Sequence, residues 1–235
     1  MGSFDIVTFI FFIAAVVIFI QLRSVLGRKS DSDRTRIERR RTQIQAPPLP
    51  SDDPKVVTLP TRGKDRDTEN EGAMSVIDAY AKPDTDLNKA LRTIKQNDPS
   101  FDPREFVKGA GIAYEMIVTA YAEGDRKTLR NLLAREVYEG FVQAIDERES
   151  RGEIIQSNFV GIDRSEIIYA ETKGSEANLT VRIISQLVSA TIDQNGKVVD
   201  GDIEEVSEVN DVWTFSRDMR SRDPNWRLIA TEADQ

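Results

Sequence analysis

The sequence predicts an α+β domain, helices packed on one face of a curved antiparallel sheet, preceded by one transmembrane helix and a disordered linker. Three observations predict it. Between Phe101 and Gly152 apolar residues recur at helical spacing, and after Gly152 they alternate with polar ones, the period of a strand. Near the N-terminus, Ile6 to Leu22 carries no charge, and thirteen of its seventeen residues are Ile, Val, Phe or Leu. Helices first and strands afterwards pack as α+β layers.

The first element is the apolar run. At roughly −0.3 to −0.6 kcal/mol per apolar residue it favours a bilayer by about 4 to 8 kcal/mol. Extended to residues 3–23, it reaches a hydrocarbon core of about 30 Å, with Asp5 at one interface and Arg23 snorkelling at the other. A cleaved signal needs a basic stretch before the run and small residues after it; here only Asp5 precedes it and "QLRSVLGRK" follows. The predicted topology puts the N-terminus outside and the rest on the cytoplasmic side, because Arg23, Arg28, Lys29, Arg34, Arg36, Arg39, Arg40 and Arg41 all follow the run.

Charge divides the chain. Residues 1–41 carry 8 basic and 4 acidic groups, residues 42–100 carry 8 and 10, and residues 101–235 carry 16 and 26. The basic juxtamembrane segment, residues 24–41, predicts contact with anionic lipid headgroups through Arg23, Arg28, Lys29, Arg39, Arg40 and Arg41, at about 1 kcal/mol per cation. A purely topological role for these cations is the simpler alternative. The acidic C-terminal region argues against nucleic-acid binding, which needs a basic footprint.

Residues 42–85 read as a linker: the stretch to Glu71 is Pro-rich, polar and free of aromatics, too poor in apolar surface to offset its ordering entropy. Residues 86–98 read as a short amphipathic helix with Leu87, Leu91 and Ile94 on one face and Lys89, Arg92 and Lys95 on the other. That helix suits either a membrane surface or the following domain, and packing on the domain is favoured because so few residues are available.

The domain, residues 99–235, opens at "SFDPREF". Asp102 is a good N-cap, Pro103 fits the first helical position, Glu105 completes a capping box, and Phe101 and Phe106 form a hydrophobic staple. Gly124 stops this helix and Asp125 starts the next; a third helix carries Val137, Tyr138, Phe141, Val142 and Ile145. Then "IIQSNFVGI", "EIIYAET", "ANLTVRIISQLVSATID", "SEVNDVWTFSRD" and "NWRLIATE" read as strands. "QNGK" predicts a two-residue primed turn at Asn195-Gly196, and "RDPNW" a turn before the last strand.

There is no Cys and no His. Disulfides, thiolate metal sites and Ser–His or Cys–His catalysis are therefore excluded. Gly109, Gly111 and Gly124 lack the spacing and the preceding strand of a phosphate loop. We expect no catalytic residue, no metal site and no cofactor.

The stretches "FDPREFVKGAGIAYEMIVTAYAEGDRKTLRNLL", "YEGFVQAIDERESRG" and "DVWTFSRDMRSRDPNWRLIAT" resemble the Tim44-like domain family, over roughly Pro99 to Thr231. The family includes the C-terminal domain of the mitochondrial inner-membrane import-motor adaptor and bacterial membrane-anchored adaptors of the Tim-A type. The anchor-first layout is similar to the bacterial members and departs from the mitochondrial protein. The resemblance implies a cone-like fold of the nuclear-transport-factor-two or cystatin kind. It also implies a bacterial inner-membrane location, a protein partner from a translocation or membrane-assembly system, and affinity for acidic lipids such as cardiolipin.

Given such a cone, the aromatics that could line it are Phe106, Tyr114, Phe141, Trp213, Phe215 and Trp226. They would take a lipid tail or hydrophobic peptide, or simply fill the core. The favoured function is a membrane-anchored adaptor; the alternative is a membrane-confined carrier of lipid or hydrophobic peptide. An enzyme of the ketosteroid-isomerase type ranks below both, with Tyr114 and Asp211 its only candidates. Asp211 itself reads as a solvated strand residue.

Overall fold

A computed structural model of the protein describes residues 74–233. The predicted membrane span, residues 3–23, the basic cluster Arg23, Arg28, Lys29, Arg39, Arg40 and Arg41, and most of the linker lie outside the described residues. Among those described, no helix is long and apolar enough to cross a membrane.

Residues 74–80 are helical (α1), followed by α2 (Asp86–Asn97), α3 (Pro103–Glu123), α4 (Arg126–Leu132) and α5 (Arg135–Ser150). Four strands follow: β1 (Ile154–Lys173), β2 (Glu176–Ile192), β3 (Val198–Asp218) and β4 (Arg227–Ala233). They form one antiparallel sheet in the order β1-β2-β3-β4. The α+β arrangement is the one the change of period predicts.

The helix start at Asp102 follows the expected chemistry with one difference. Asp102 Oδ1 accepts from the backbone N–H groups of Arg104 (2.8 Å) and Glu105 (3.2 Å), satisfying two donors that an isolated helix end leaves open. The Glu105 carboxylate instead accepts from Lys108 Nζ at 2.8 Å, so the pairing is a cap plus a surface ion pair. Phe101 and Phe106 meet with ring centroids 6.4 Å apart. Asp125 caps α4 in the same way, through Lys127 N and Thr128 N. Arg126 ties the start of α4 to the end of α5 through Asp146 (2.6 Å) and Glu149 (2.8 Å).

The linker reading ends too late. Met74, Ile77 and Ala81 are buried, and Ile77 and Ala81 join the same core as Tyr114, Leu179 and Phe215. The Tyr80 hydroxyl oxygen accepts from the Ile167 backbone N–H at 2.8 Å, joining the end of α1 to β1. The polar composition of the preceding stretch hid the apolar residues Met74, Ile77 and Tyr80. On α2, Leu91 and Ile94 are wholly buried and Leu87 partly so; the apolar face of this helix is spent on the domain and is closed to a membrane surface.

In the sheet, "IIQSNFVGI" and "EIIYAET" prove to be one strand, β1, bent by irregularities at Phe159/Gly161, Ile162/Arg164 and Ile167/Tyr169. Bulges bend a strand and increase its twist without ending it. β3 begins at Val198, nine residues before the predicted "SEVNDVWTFSRD". A large bulge carries it there: Ser189 of β2 pairs with Asp202 while Leu187 pairs with Ser207. Gly201, at φ +74°, approaches β2 so closely that a Cβ there would lie 2.2 Å from the Ser189 carbonyl oxygen.

The β2–β3 turn also differs from the expectation. Either primed turn needs positive φ at the first central residue, here Asn195, but of the two only Gly196 has it, at +80°. The Gly196 N–H returns to the Asp193 carbonyl (3.0 Å), and Asp193 N–H reaches the Lys197 carbonyl (3.0 Å). The Asp193 carboxylate also accepts from Asn195 N and Lys197 N. These side-chain bonds favour a three-residue loop with glycine in the left-handed position.

Candidate functional site

The six aromatics proposed from sequence separate into two places. Tyr114, Phe141 and Trp213 line a cavity of about 190 Å³ between α3, α5 and the sheet. Phe106, Phe215 and Trp226 lie instead along a groove of about 510 Å³ on the other side of α3. Sequence spacing placed Trp213 and Phe215 on one strand face, which is correct, but they sit at the edges of different depressions. In the groove, Phe106 and Trp226 are in edge contact at 4.7 Å, and Arg217 stacks on Trp226 while pairing with Asp98.

The cavity is the more chemically distinctive site. Its floor comes from alternate residues of β3, since side chains two apart share a face: Ser207, Val209, Asp211 and Trp213. Its roof is one stripe of α3, including Tyr114, Ile117, Val118 and Tyr121. Leu187 and Ser189 from β2 and Ile155 and Ser157 from β1 close one side, and Thr231 and Glu232 from β4 the other.

At its inner end the Tyr114 hydroxyl donates to Asp211 Oδ2 at 2.7 Å and lies 2.9 Å from Ser185 Oγ. Because the Tyr114 proton goes to the carboxylate, Ser185 is the donor in the second bond. Trp213 supplies Asp211 with a second side-chain donor. Burial is the dominant influence on Asp211 and raises its pKa to about 6, against the lowering effect of the Tyr114 and Trp213 hydrogen bonds. Burial, then the adjacent Asp211 charge, push the Tyr114 phenol up. Asp211 is thus no solvated strand residue. Helix α3 covers its face of the strand, a tertiary contact that strand alternation does not reveal.

Sequence reasoning missed Arg148. This residue, 6% exposed, donates to the Tyr121 carbonyl (3.2 Å) and the Ala122 carbonyl (3.1 Å) at the C-terminal end of α3. A cation there adds donors to carbonyls of the last helical turn, of which Tyr121's also accepts from the Gly124 N–H at 3.2 Å, and meets the negative end of the helix dipole. The only available signal was an Arg in the last turn of α5 at core spacing from Phe141 and Ile145. Buried Tyr121, against which Arg148 stacks at 5.3 Å, has its phenol pushed up to about 12, chiefly by burial.

No group of three or more potential metal ligands occurs among the described residues. Tyr114 is committed as donor to Asp211; burial brings that carboxylate toward neutral pH, whereas it moves the Tyr114 and Tyr121 phenols further from it.

The Tim44-like domain family model matches residues 87–233. The mitochondrial import inner membrane translocase subunit TIM44 of Homo sapiens is 24% identical over 152 residues, covering 63% of this chain and 34% of that protein. The uncharacterized protein RP434 of Rickettsia prowazekii is 26% identical over 133 residues, covering 57% of this chain and 53% of that protein. Among solved structures, the intermembrane space region of the chloroplast protein ARC6 overlays with a TM-score of 0.39 and 9% identity, over 54% of this chain and 95% of that one. The chain spans about a third of the length of the human relative and about half of the rickettsial one.

Proposed function

Because this chain belongs to the Tim44-like domain family, we propose that it is a non-catalytic adaptor holding a protein of a translocation or membrane-assembly system beside a bacterial inner membrane. The observation that carries this reading is the family match across the folded domain, together with the likeness to a mitochondrial import translocase subunit. In this reading residues 3–23 anchor the chain with the domain on the cytoplasmic side. Arg23, Arg28, Lys29, Arg39, Arg40 and Arg41 lie against anionic lipid such as cardiolipin, and the linker sets the reach of the domain. Tethering raises effective concentration, so a weak contact with the partner suffices.

The charge of the cavity supports the adaptor over a carrier of anionic lipid. Among the described residues, Asp200, Asp211 and Glu232 line it and no Lys or Arg does, so an acidic headgroup would enter against three carboxylates. Contact with acidic lipid belongs to the basic segment instead.

Crosslinking in intact cells, with the full chain and with residues 1–41 removed, tests the proposal. The full chain is expected to recover components of a translocation or membrane-assembly system, and the truncated chain to recover them at least tenfold less. Partners unrelated to either process reject the adaptor; an unchanged partner set rejects tethering.

A further inference from the structure

We propose that the cavity between α3 and the sheet binds a small monocationic amphiphile, an alkyl or aralkyl primary amine, with its ammonium at Asp211 and its carbon chain against Ile117, Leu187 and Trp213. The inference goes beyond the adaptor reading and does not rest on it.

Charge selects the class of ligand. Among the described residues, three carboxylates line the cavity, from β3 and β4, and no basic side chain does. Arg148 and Arg151 both act on Tyr121, and Arg148 turns its guanidinium to the Tyr121 and Ala122 carbonyls. Arg182 sits next to Ile183, whose side chain is buried under the helices, so strand alternation puts Arg182 on the opposite face of the sheet, where it pairs with Glu166 at 3.7 Å. An anion entering the cavity meets like charge, and a purely apolar ligand would strip water from Asp211 without replacing it. An ammonium supplies both the charge and the donors.

The geometry provides for such a head. Asp211 receives donors from Tyr114 and Trp213, and a carboxylate offers about four acceptor positions, so two remain for an incoming N–H. Thr231, 5% exposed, lines the same cavity, and its hydroxyl has no hydrogen-bond partner among the described residues. Buried hydroxyls are ordinarily paired, and a ligand N–H supplies a partner. The Trp213 ring, 4.5 Å from Tyr114, offers the ammonium an aromatic neighbour. The remaining lining is predominantly aliphatic and aromatic, which suits a carbon chain.

Isothermal titration of the full chain in neutral phosphatidylcholine nanodiscs, with empty nanodiscs as blank, tests this with three probes of one shape: hexylamine, hexan-1-ol and hexanoate. At pH 7.5 hexylamine is expected to bind at least tenfold more tightly than either of the others. Asp211→Asn should remove that preference while leaving the weak binding of hexan-1-ol, which also shows that the variant retains its cavity. In the wild type the preference should shrink at pH 5, as Asp211 takes up its proton. Asp200 and Glu232 remain as the other acids facing the site, with Tyr114 and Tyr121 neutral. Equal binding of amine and alcohol, tighter binding of hexanoate, or no heat with hexylamine in the wild type would each overturn the proposal. The wild-type comparison decides even if the variant does not fold.

Discussion

Asp211 shows how one residue couples burial, hydrogen bonding and pH. Its carboxyl titrates near 6 in the folded chain, above the unfolded value of about 3.9, so the folded state holds this proton more tightly. The resulting stabilisation is complete below pH about 4 and is lost as the pH rises through about 6. Asp211→Asn carries every other titrating group unchanged, so the difference from wild type isolates Asp211. That difference should move in favour of the variant by about 2 kcal/mol between pH 4 and pH 7.5, allowing for the residue's partial exposure. Urea unfolding at the two pH values measures it, and a difference that stays constant with pH contradicts the assignment. Arg148 poses the complementary case. Arg148→Met keeps the apolar stem but takes the guanidinium from the Ala122 carbonyl and leaves the Tyr121 carbonyl with the Gly124 N–H, at an expected cost of about 1 to 3 kcal/mol in the same assay.

Among the elements, α1 and the β3 bulge depart most from what the residues suggest locally. Ile77 has no exposed surface, so Ile77→Ala should cost about 2 to 5 kcal/mol, the range for emptying a buried aliphatic site. A linker residue would cost close to nothing, and thermal unfolding separates the two. The bulge depends on Gly201. Gly201→Ala adds a Cβ facing the Ser189 carbonyl while the backbone sits at positive φ. Because the Ser189 carbonyl is backbone, it cannot swing aside. We expect a loss of at least about 1 to 3 kcal/mol and a disturbed β2–β3 register, visible as lost amide protection from Leu187 to Thr191. Gly109→Ala, with open space around the added Cβ, is the control and should be neutral or slightly stabilising within its helix.

At the scale of the molecule, the folded unit and the charge pattern divide the labour. Buried residues of α1 and α2 share a core with α3 and the sheet, so the unit begins by residue 74, earlier than the expected boundary at residue 99. A chain starting at residue 74 should unfold in one cooperative transition, whereas one starting at residue 99 exposes the surface that Ile77, Leu91 and Ile94 cover. The shorter form should have a lower melting temperature and bind a hydrophobic dye; matching melting curves for the two would show that α1 and α2 are accessory. The acidic balance of residues 101–235 is opposite in sign to the basic segment 24–41; in the proposed arrangement, like charge would keep the domain from adhering to an anionic surface.

Patterns with a local cause were legible in the residues. Asp102 and Pro103 announce a helix start because capping involves groups three residues apart, and the alternation around Trp213 announces a strand because the pleat repeats every two. The α+β class and the core aromatics follow from such periods. Long-range placement had no local signal. Asp211 differs from a solvated aspartate only because Tyr114, 97 residues away in sequence, descends on it from α3. Arg148 is buried because the end of α3 happens to present its carbonyls there. The division of the six aromatics between cavity and groove likewise depends on where α3 crosses the sheet. Sequence by itself determined what each segment is; only tertiary packing decided which side chains meet, because burial and the electrostatics that follow from it arise between elements.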